Sequence, residues 1–145
     1  MAIERTGKAK EHWSRAQELY EQVKKDYSKA DNEKAIAEYS EVIKLLPKDA
    51  ESYSRLAACY IRTGQCEKAI ADYNKAISSE PKEAQHYYAR CELYLRLDKK
   101  KKALADLARA AKVDPGRAGA FYESYNRVNN ELARDRYEVD LSSRR

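Results

Sequence analysis

The sequence predicts an all-α fold: a solenoid of antiparallel helix pairs that ends in a single capping helix. Three observations support this prediction. The prolines stand at Pro47, Pro81 and Pro115, so the same interval separates each proline from the next. Only four glycines and three prolines occur in 145 residues, a composition that favours helices over a turn-rich β fold. Between the prolines, apolar residues recur at helical spacing.

The same interval relates the positions at which two helices would pack together. Small and large residues repeat at the proline interval, in the second helix of all three pairs and in the first helix of the second and third pairs: Ala35, Ala69 and Ala103; Tyr39, Tyr73 and Leu107; Tyr53 and Tyr87; Ala57 and Cys91; Tyr60 and Tyr94. Small side chains let two helix backbones approach closely, while large side chains fill the gaps between neighbouring pairs. The pattern therefore predicts a stack of similar helix pairs.

The first repeat unit is expected at residues 11–47. Its first helix would bury a stripe made of Trp13, Ala16, Tyr20, Val23 and Tyr27. The second helix would run from about Asn32 to Pro47. Residues 24–32 contain several more residues than the other units have at this point. We interpret them as a lengthened helix or a loop.

The second repeat unit is expected at residues 50–81, with helices at about 50–62 and 66–79. Apolar residues recur at helical spacing in both: Tyr53, Leu56, Ala57 and Tyr60 in the first, and Ala69, Ile70, Tyr73, Ala76 and Ile77 in the second. Gly64 lies between the helices and can adopt the positive φ that often ends a helix. Pro81 cannot continue the second helix and marks the corner that follows it.

The third repeat unit, residues 84–115, repeats this arrangement with two changes. Asp98 stands in the position of Gly64, and Asp is among the residues that tolerate the left-handed conformation. Arg90 replaces Leu56. We expect the methylene groups of Arg90 to cover apolar surface while its guanidinium reaches water.

A capping helix is expected at residues 117–136, where one stripe is apolar: Phe121, Tyr125, Val128 and Leu132. Its opposite side is polar, as a terminal element of a repeat array requires. The repeat domain would therefore span residues 11–136. We expect flexible segments at residues 1–10 and 137–145.

These residues resemble the tetratricopeptide-repeat (TPR) family, which has a 34-residue helix–turn–helix pattern. The resemblance covers residues 50–115 and the second helix of the first unit. It implies that the first helix of each unit lines a concave groove, in which a partner lies as an extended or helical peptide. Matching positions place eight groove residues: Arg55, Arg62, Gln85, Tyr88, Glu92, Arg96, Tyr122 and Asn126. The arginines could contact carboxylates, and Tyr88 and Tyr122 could stack on peptide side chains.

Residues 53–60 also resemble co-chaperone TPR domains that hold the acidic C-terminal tails of heat-shock chaperones. In those domains the tail carboxylate is held by Lys and Asn from the first unit, Asn from the second, and Lys and Arg from the third. The matching positions here are Trp13, Gln17, Arg55, Gln85 and Ala89. At least three of the clamp residues are missing, so we do not expect a heat-shock chaperone tail to bind by this clamp.

No pattern in the sequence predicts catalysis. The chain has two histidines, His12 and His86. On one helix, His86 and Cys91 would diverge by about 140°. The three cysteines have no CxxC spacing and no complete zinc set, and no phosphate-binding glycine motif occurs. We therefore predict a non-enzymatic protein without metal or cofactor.

The leading functional prediction is an adaptor or scaffold that binds another protein or a peptide. A small dedicated chaperone is an alternative. A nucleic-acid-binding helical repeat is a further alternative, because the net charge is +5. We do not favour nucleic acid, since Glu51, Glu92 and Glu123 interrupt the basic residues of the expected groove. The first or last helix could pack against a second copy, so both a monomer and a homodimer remain open.

Location is predicted from absent signals and from the cysteines. No apolar run approaches the roughly 20 residues of a membrane span, and residues 1–10 lack the apolar core of a secretory signal. Cys59, Cys66 and Cys91 are an odd number, which fits a reducing compartment. We expect a cytoplasmic protein that does not associate with membranes.

Overall fold

A computed structural model describes residues 3–26 and 28–144, and all regular secondary structure in these ranges is helical. The elements in chain order are α1 (Gly7–Asp26), α2 (Lys29–Leu45), α3 (Ala50–Arg62), α4 (Cys66–Ser79), α5 (Ala84–Arg96), α6 (Lys100–Val113), a 3-10 turn (Pro115–Arg117) and α7 (Ala118–Ser143). The predicted all-α fold, with three helix pairs and a final helix, is confirmed.

The helices form two compact units. The N-terminal unit, residues 1–81, contains α1 to α4, and the C-terminal unit, residues 82–145, contains α5 to α7. In the N-terminal unit each helix packs against the next along the chain, and the same holds in the C-terminal unit. Short connections between packed neighbours make these helices antiparallel.

The proline corners share one backbone conformation. Residues Leu46, Glu80 and Asp114 directly precede the prolines, and their φ/ψ values are −131/79°, −133/72° and −132/80°. A proline ring clashes with an α-helical residue before it, which explains this conformation for three chemically different residues. The prolines therefore end α2, α4 and α6, as the sequence predicts.

The turns inside the second and third pairs contain the expected left-handed residues. Gly64 has φ +77° and Asp98 has φ +56°. In each turn, the N–H group of the next residue donates a 2.8 Å hydrogen bond to the carbonyl five positions earlier. This 6→1 bond is the mark of a Schellman motif, which satisfies a carbonyl at the end of the helix. Both turn predictions are confirmed.

The repeated small residues form the centre of each helix pair. Ala35, Ala69 and Ala103 are fully buried, with 0% exposure. The residue one turn further along each helix is buried beside it: Tyr39, Tyr73 and Leu107. Ala57 and Cys91 are buried on the partner helices. Close approach of the two backbones at these positions explains why small side chains recur there.

The first pair differs from the others because its helices are longer. α1 has 20 residues, and α2 begins at Lys29, where Ser28 Oγ accepts a 3.3 Å hydrogen bond from the N–H of Asp31. The extra residues of this pair therefore lengthen its helices. Ala16, Tyr20 and Val23 are buried as expected, whereas Tyr27 lies outside the described residues.

Both terminal helices extend beyond their expected ends. α1 begins at Gly7, and α7 continues to Ser143, seven residues past the expected end at residue 136. No glycine or proline follows Gly119 to stop the helix, and Asp140 pairs with Arg144 one turn later at 2.9 Å. The flexibility expected for residues 1–10 and 137–145 stays a prediction, and residues 1, 2 and 145 lie outside the described ranges.

Candidate partner-binding site

In the N-terminal unit, a buried tyrosine gathers positive charge from two helices. The guanidinium carbons of Arg55 and Arg62, both on α3, lie 5.0 and 4.2 Å from the centre of the Tyr20 ring, and Lys24 Nζ lies 5.0 Å from it. Arg55 and Arg62 are seven residues apart and so share a face of α3. The ring holds both cations in place through cation–π contact.

These two arginines have little anionic compensation. Arg55 reaches Glu51 only at 3.8 Å. Arg62 forms no salt bridge with any residue in the described ranges. The two predicted groove arginines of this unit, Arg55 and Arg62, therefore form a positively charged surface that could accept a carboxylate.

A second cluster in this unit is internally neutralised. Arg5 donates hydrogen bonds of 2.6 and 3.0 Å to Asp49 and of 2.8 Å to Glu51. Its guanidinium carbon also lies 3.4 Å from the centre of the Trp13 ring. Asp49 is buried and accepts a further bond from Ser52 Oγ at 2.9 Å. This arrangement covers one face of the indole and anchors the N-terminal segment to the start of α3.

The positions that a carboxylate clamp would use on α1 are engaged in packing. Gln17 accepts a hydrogen bond from the Tyr39 hydroxyl, and burial raises the pKa of Tyr39. Trp13 packs edge-on against the Tyr39 ring, with ring centres 5.5 Å apart. Neither side chain has the chemistry or the freedom to replace the Lys and Asn of the clamp.

In the C-terminal unit, α5 and α7 enclose a cavity of about 230 Å³. It is lined by Tyr88, Cys91, Glu92, Leu95, Arg96, Leu107, Ser124 and Arg127. Three of these side chains provide an apolar floor, and the others provide two cations, one carboxylate and two hydroxyl groups. Arg96 and Arg127 form no salt bridge with any residue that the structure describes, so their charges are available to a ligand.

The structure separates the remaining predicted groove residues from this cavity. Gln85 and Asn126 are exposed on α5 and α7 and do not line it. Tyr122 lies on a different edge of α7, where its ring stacks on Tyr125 at 6.2 Å with an interplanar angle of 14°. Tyr88 has its ring 5.7 Å from that of Phe121, so one side of the Tyr88 ring packs internally.

Three residues of these surfaces were missed from the sequence. Tyr20 was predicted only as a core residue. The extra residues of the first pair prevented a prediction of which α3 residues lie beside Tyr20. Ser124 and Arg127 were missed because the groove positions on α7 were taken from the family resemblance. α7 has no paired second helix in the sequence pattern, so its rotation about its own axis could not be predicted. The spacing of Ser124 and Arg127, three residues apart on one helix face, was the available signal.

The sequence did not predict the partner of Arg90. Its side chain stays partly exposed, and its guanidinium donates hydrogen bonds of 2.8 and 2.6 Å to Asp106 on α6. Asp106 is buried, and a buried carboxylate requires a compensating partner. The two planar groups bind through two parallel hydrogen bonds, the strongest geometry for this pair.

The corresponding carboxylate of the second pair has no such partner. Asp72, on α4, has one buried oxygen without a hydrogen-bond partner in the described structure. Desolvation by burial raises the pKa of Asp72 to about 6. Burial raises the pKa of Tyr53 and of Tyr60 on α3, and the Asp72 charge raises both further. Asp72 thus lies in a poorly solvated place opposite α3.

The titratable groups do not form a recognisable reaction centre. Burial raises the pKa of Cys59 to about 11 and of Cys91 to about 12, so both thiols stay protonated at neutral pH. Within residues 3–26 and 28–144, no three His, Cys, Asp or Glu side chains cluster as a metal site would require. No helix in that part of the chain is both long enough and apolar enough to cross a bilayer.

Family models match most of the helical array. Two models described as tetratricopeptide repeat match the chain, one over residues 26–90 and the other over residues 60–123. No curated protein sequence matches the chain.

Several solved structures share the fold. The TPR2B domain of yeast Sti1, in complex with pHsp70, is 26% identical with a TM-score of 0.72, covering 86% of this chain and 98% of that one. The P58(IPK) TPR domain is 22% identical with a TM-score of 0.75, covering 94% and 36%. The type III secretion translocator chaperone SycD of Yersinia enterocolitica is 22% identical with a TM-score of 0.61, covering 86% and 85%.

Proposed function

Because the chain belongs to the tetratricopeptide-repeat family, a family of protein-interaction modules, we propose that it is a non-enzymatic adaptor or scaffold that holds a segment of another protein. The segment would bind as an extended or helical peptide along the first helices of the repeat units. The TPR2B domain of yeast Sti1, which is similar to this chain, was solved as a complex with pHsp70. The family assignment makes protein binding the function to test first.

The observation that carries the proposal is the cavity in the C-terminal unit. Tyr88, Glu92 and Arg96 line it together, although they were selected from the sequence as separate groove positions. Five of its eight lining residues carry a charge or a hydroxyl group, which provides several polar contacts that could fix the orientation of a bound segment. Its volume of about 230 Å³ suits one or two peptide side chains rather than a whole folded domain.

The charges of the two units favour a partner with at least one acidic side chain. Arg96 and Arg127 border the cavity, and Arg55 and Arg62 form the surface over Tyr20. A guanidinium binds a carboxylate through two parallel hydrogen bonds, each roughly twice as strong as a neutral one. Glu92 at the cavity would disfavour an acidic group placed beside it, which limits where the partner's charge can lie.

We do not include a heat-shock chaperone tail bound by the carboxylate clamp. Trp13 and Gln17 are occupied by Arg5 and Tyr39, and the α5 positions of the clamp hold Gln85 and Ala89. A small dedicated chaperone and an RNA-binding repeat remain alternatives, and no observation in either unit favours them. Free thiols at all three cysteines suit a reducing compartment, and a cytoplasmic location is part of the proposal.

The test is a selection of peptides from a random displayed library on the immobilised protein. Selected peptides are then titrated by fluorescence anisotropy against wild type, Tyr88→Ala and Arg96→Ala. We expect each substitution to weaken binding at least about tenfold, since aromatic and arginine side chains dominate such interfaces. Arg109→Ala is the matched control, because Arg109 is exposed on the second helix, α6.

Two outcomes would count against the proposal. One is a failure to select any peptide that binds in solution. The other is equal affinity of the selected peptides for the cavity variants and for Arg109→Ala. Binding of single-stranded RNA that weakens steeply with salt, together with no peptide binding, would favour the nucleic-acid alternative.

A further inference from the structure

A site for a guanidinium group lies in the N-terminal unit, and the chain fills it with its own Arg5. The guanidinium carbon of Arg5 lies over the Trp13 ring, 3.4 Å from its centre. Two nitrogens of the same group donate hydrogen bonds of 2.6 and 3.0 Å to the two carboxylate oxygens of Asp49, and Glu51 accepts a third at 2.8 Å. Stacking and paired hydrogen bonds select arginine, because a lysine ammonium is a point charge without a flat face. We call Trp13, Asp49 and Glu51 the arginine site.

The arginine site needs a cation even when Arg5 is absent. The Asp49 side chain is only 3% exposed, and Arg5 is its only salt-bridge partner among the described residues. Ser52 Oγ holds Asp49 in place through a hydrogen bond of 2.9 Å. Glu51 is more exposed, and its other cation, Arg55, lies 3.8 Å away. A buried carboxylate without a counter-charge is costly, so a vacated site would favour any guanidinium that could reach it.

Arg5 reaches the site on a segment that belongs to no helix. Residues 3–6 precede α1, and Gly7, the first residue of α1, has φ +53°. Glycine adopts this backbone angle without strain, so the segment could turn about Gly7 while α1 stays intact. Glu4 and Thr6 are exposed. Among the side chains of residues 3–6, only that of Arg5 forms a hydrogen bond or salt bridge with described residues outside the segment. The polar attachment of this segment, which we call the strap, therefore depends on one residue.

The strap lies where the proposed peptide is expected to bind. α1 and α3 are the first helices of their pairs, and the family resemblance assigns Trp13 and Glu51 to the groove. Arg5 contacts both residues. Glu51 also contacts Arg55, one of the two arginines of the positively charged surface over Tyr20. The arginine site and that surface therefore adjoin, which favours a partner with an arginine close to an acidic side chain.

We propose that the strap closes the arginine site in the free chain, and that an arginine of the bound protein segment displaces Arg5 from it. This inference rests on the proposed function, because it states how the bound segment engages the N-terminal unit. A short tether gives Arg5 an effective concentration on the order of millimolar. An isolated arginine at micromolar concentration cannot compete with it, so the partner needs a second contact, such as a carboxylate on Arg55 and Arg62. The strap thereby rejects segments that lack either charge.

The arginine site is tested with a peptide copy of the strap, Ile-Glu-Arg-Thr-Gly-Lys with blocked ends, added to full-length Arg5→Ala and Arg5→Lys. Binding is read from the emission of Trp13, the single tryptophan of the chain. We expect the peptide to bind both variants at least about tenfold more tightly than wild type, in which Arg5 competes for the site. Arg5→Lys keeps a positive charge beside the buried Asp49, and circular dichroism checks that both variants keep their helices.

Two controls accompany this titration. A strap peptide with lysine in place of its arginine should bind the Arg5 variants at least about tenfold more weakly. Lys8→Ala, which removes a charge from an exposed position, should behave as wild type does. An arginine peptide that binds no better than the lysine peptide would overturn the arginine site. Equal binding to wild type and to both Arg5 variants would also overturn it, because the peptide would then bind elsewhere.

The exchange is tested by repeating the display selection on Arg5→Ala. We expect arginine to be enriched among the selected peptides, and these peptides to bind Arg5→Ala at least about tenfold more tightly than wild type. Selected peptides without arginine, or with equal affinity for the two proteins, would show that Arg5 only attaches the strap, and would overturn the exchange. If neither protein selects a peptide, the proposed function and the exchange both fail, while the strap-peptide titration still decides whether the arginine site binds.

Discussion

Arg90 and Asp106, joined by two hydrogen bonds across the third helix pair, occupy the repeat positions that Leu56 and Asp72 occupy in the second. The acid recurs in every pair, since Glu38 holds the same position in the first and contacts His12 Nδ1 at 2.6 Å. Only the second pair puts an apolar residue opposite its carboxylate. Asp72 is consequently the acid with a raised pKa and an unpartnered buried oxygen.

Asp72→Asn should stabilise the protein at neutral pH. The folded-state pKa of Asp72, about 6, lies above that of an unfolded chain, so ionising Asp72 opposes folding once the pH exceeds the unfolded value. The penalty is absent below about pH 4 and complete above about pH 6. With a discount for partial exposure, the gain at pH 7 is about 1 kcal/mol. Urea unfolding at pH 4 and pH 7 measures it, and a gain of equal size at both values would contradict the assignment.

Arg90→Leu gives the third pair the residue that the second pair has at this position, Leu56, and should destabilise the protein. The change leaves the buried Asp106 carboxylate without its partner, which costs about 2–3 kcal/mol. Changing Asp106 to Leu in the same variant removes the stranded charge and should recover most of the loss. Guanidinium unfolding of the single and double variants gives the comparison. If the single variant matched wild type, the ion pair would not contribute to stability in solution.

Arg5→Ala should loosen the start of the chain and alter its single tryptophan. The change removes the charged hydrogen bonds to Asp49 and the stacking on Trp13. We expect a loss of about 2 kcal/mol, because Asp49 stays buried. The emission maximum of Trp13 should shift to longer wavelength as water reaches the indole. Lys8→Ala removes the same charge from an exposed position and should change neither property.

Ala69→Leu should overpack the second helix pair. Ala69 is fully buried where α3 and α4 approach each other, and added methylene groups in such a place cost about 1–3 kcal/mol. Ala71→Leu, two residues later on the exposed side of α4, is the control and should leave the denaturation midpoint within about 0.5 kcal/mol of wild type. Equal midpoints for the two variants would show that Ala69 does not limit the helix approach.

The repeat could be predicted because its signals are local. A proline fixes the residue before it, a small residue marks each close approach, and Gly64 and Asp98 mark the turns. These features depend on a few neighbouring residues, and the structure places all of them as expected. The family resemblance needed no more than this periodicity.

The candidate surfaces were harder to predict from the sequence because they depend on how separate helices are placed against each other. The gathering of Arg55 and Arg62 over Tyr20 requires the rotation of α1 relative to α3, which the longer first pair obscures. Arg90 was expected to point its guanidinium into water because the residues of α5 alone do not reveal a partner. Asp106 lies 16 residues later on α6, and the turn between these two antiparallel helices brings the two side chains together. No glycine or proline marks the C-terminal end of α7, so the sequence did not show where this helix stops.

Tyr125 has an implication for how such a protein could grow. It stands one repeat after Cys91 and two repeats after Ala57, at the position where the second and third pairs place a small buried side chain. A phenol ring at this position would keep a following helix from approaching α7 as closely as α4 approaches α3. A duplicated repeat appended behind α7 would therefore meet a blocked face, whereas one inserted ahead of Ala118 would find the small residues it needs.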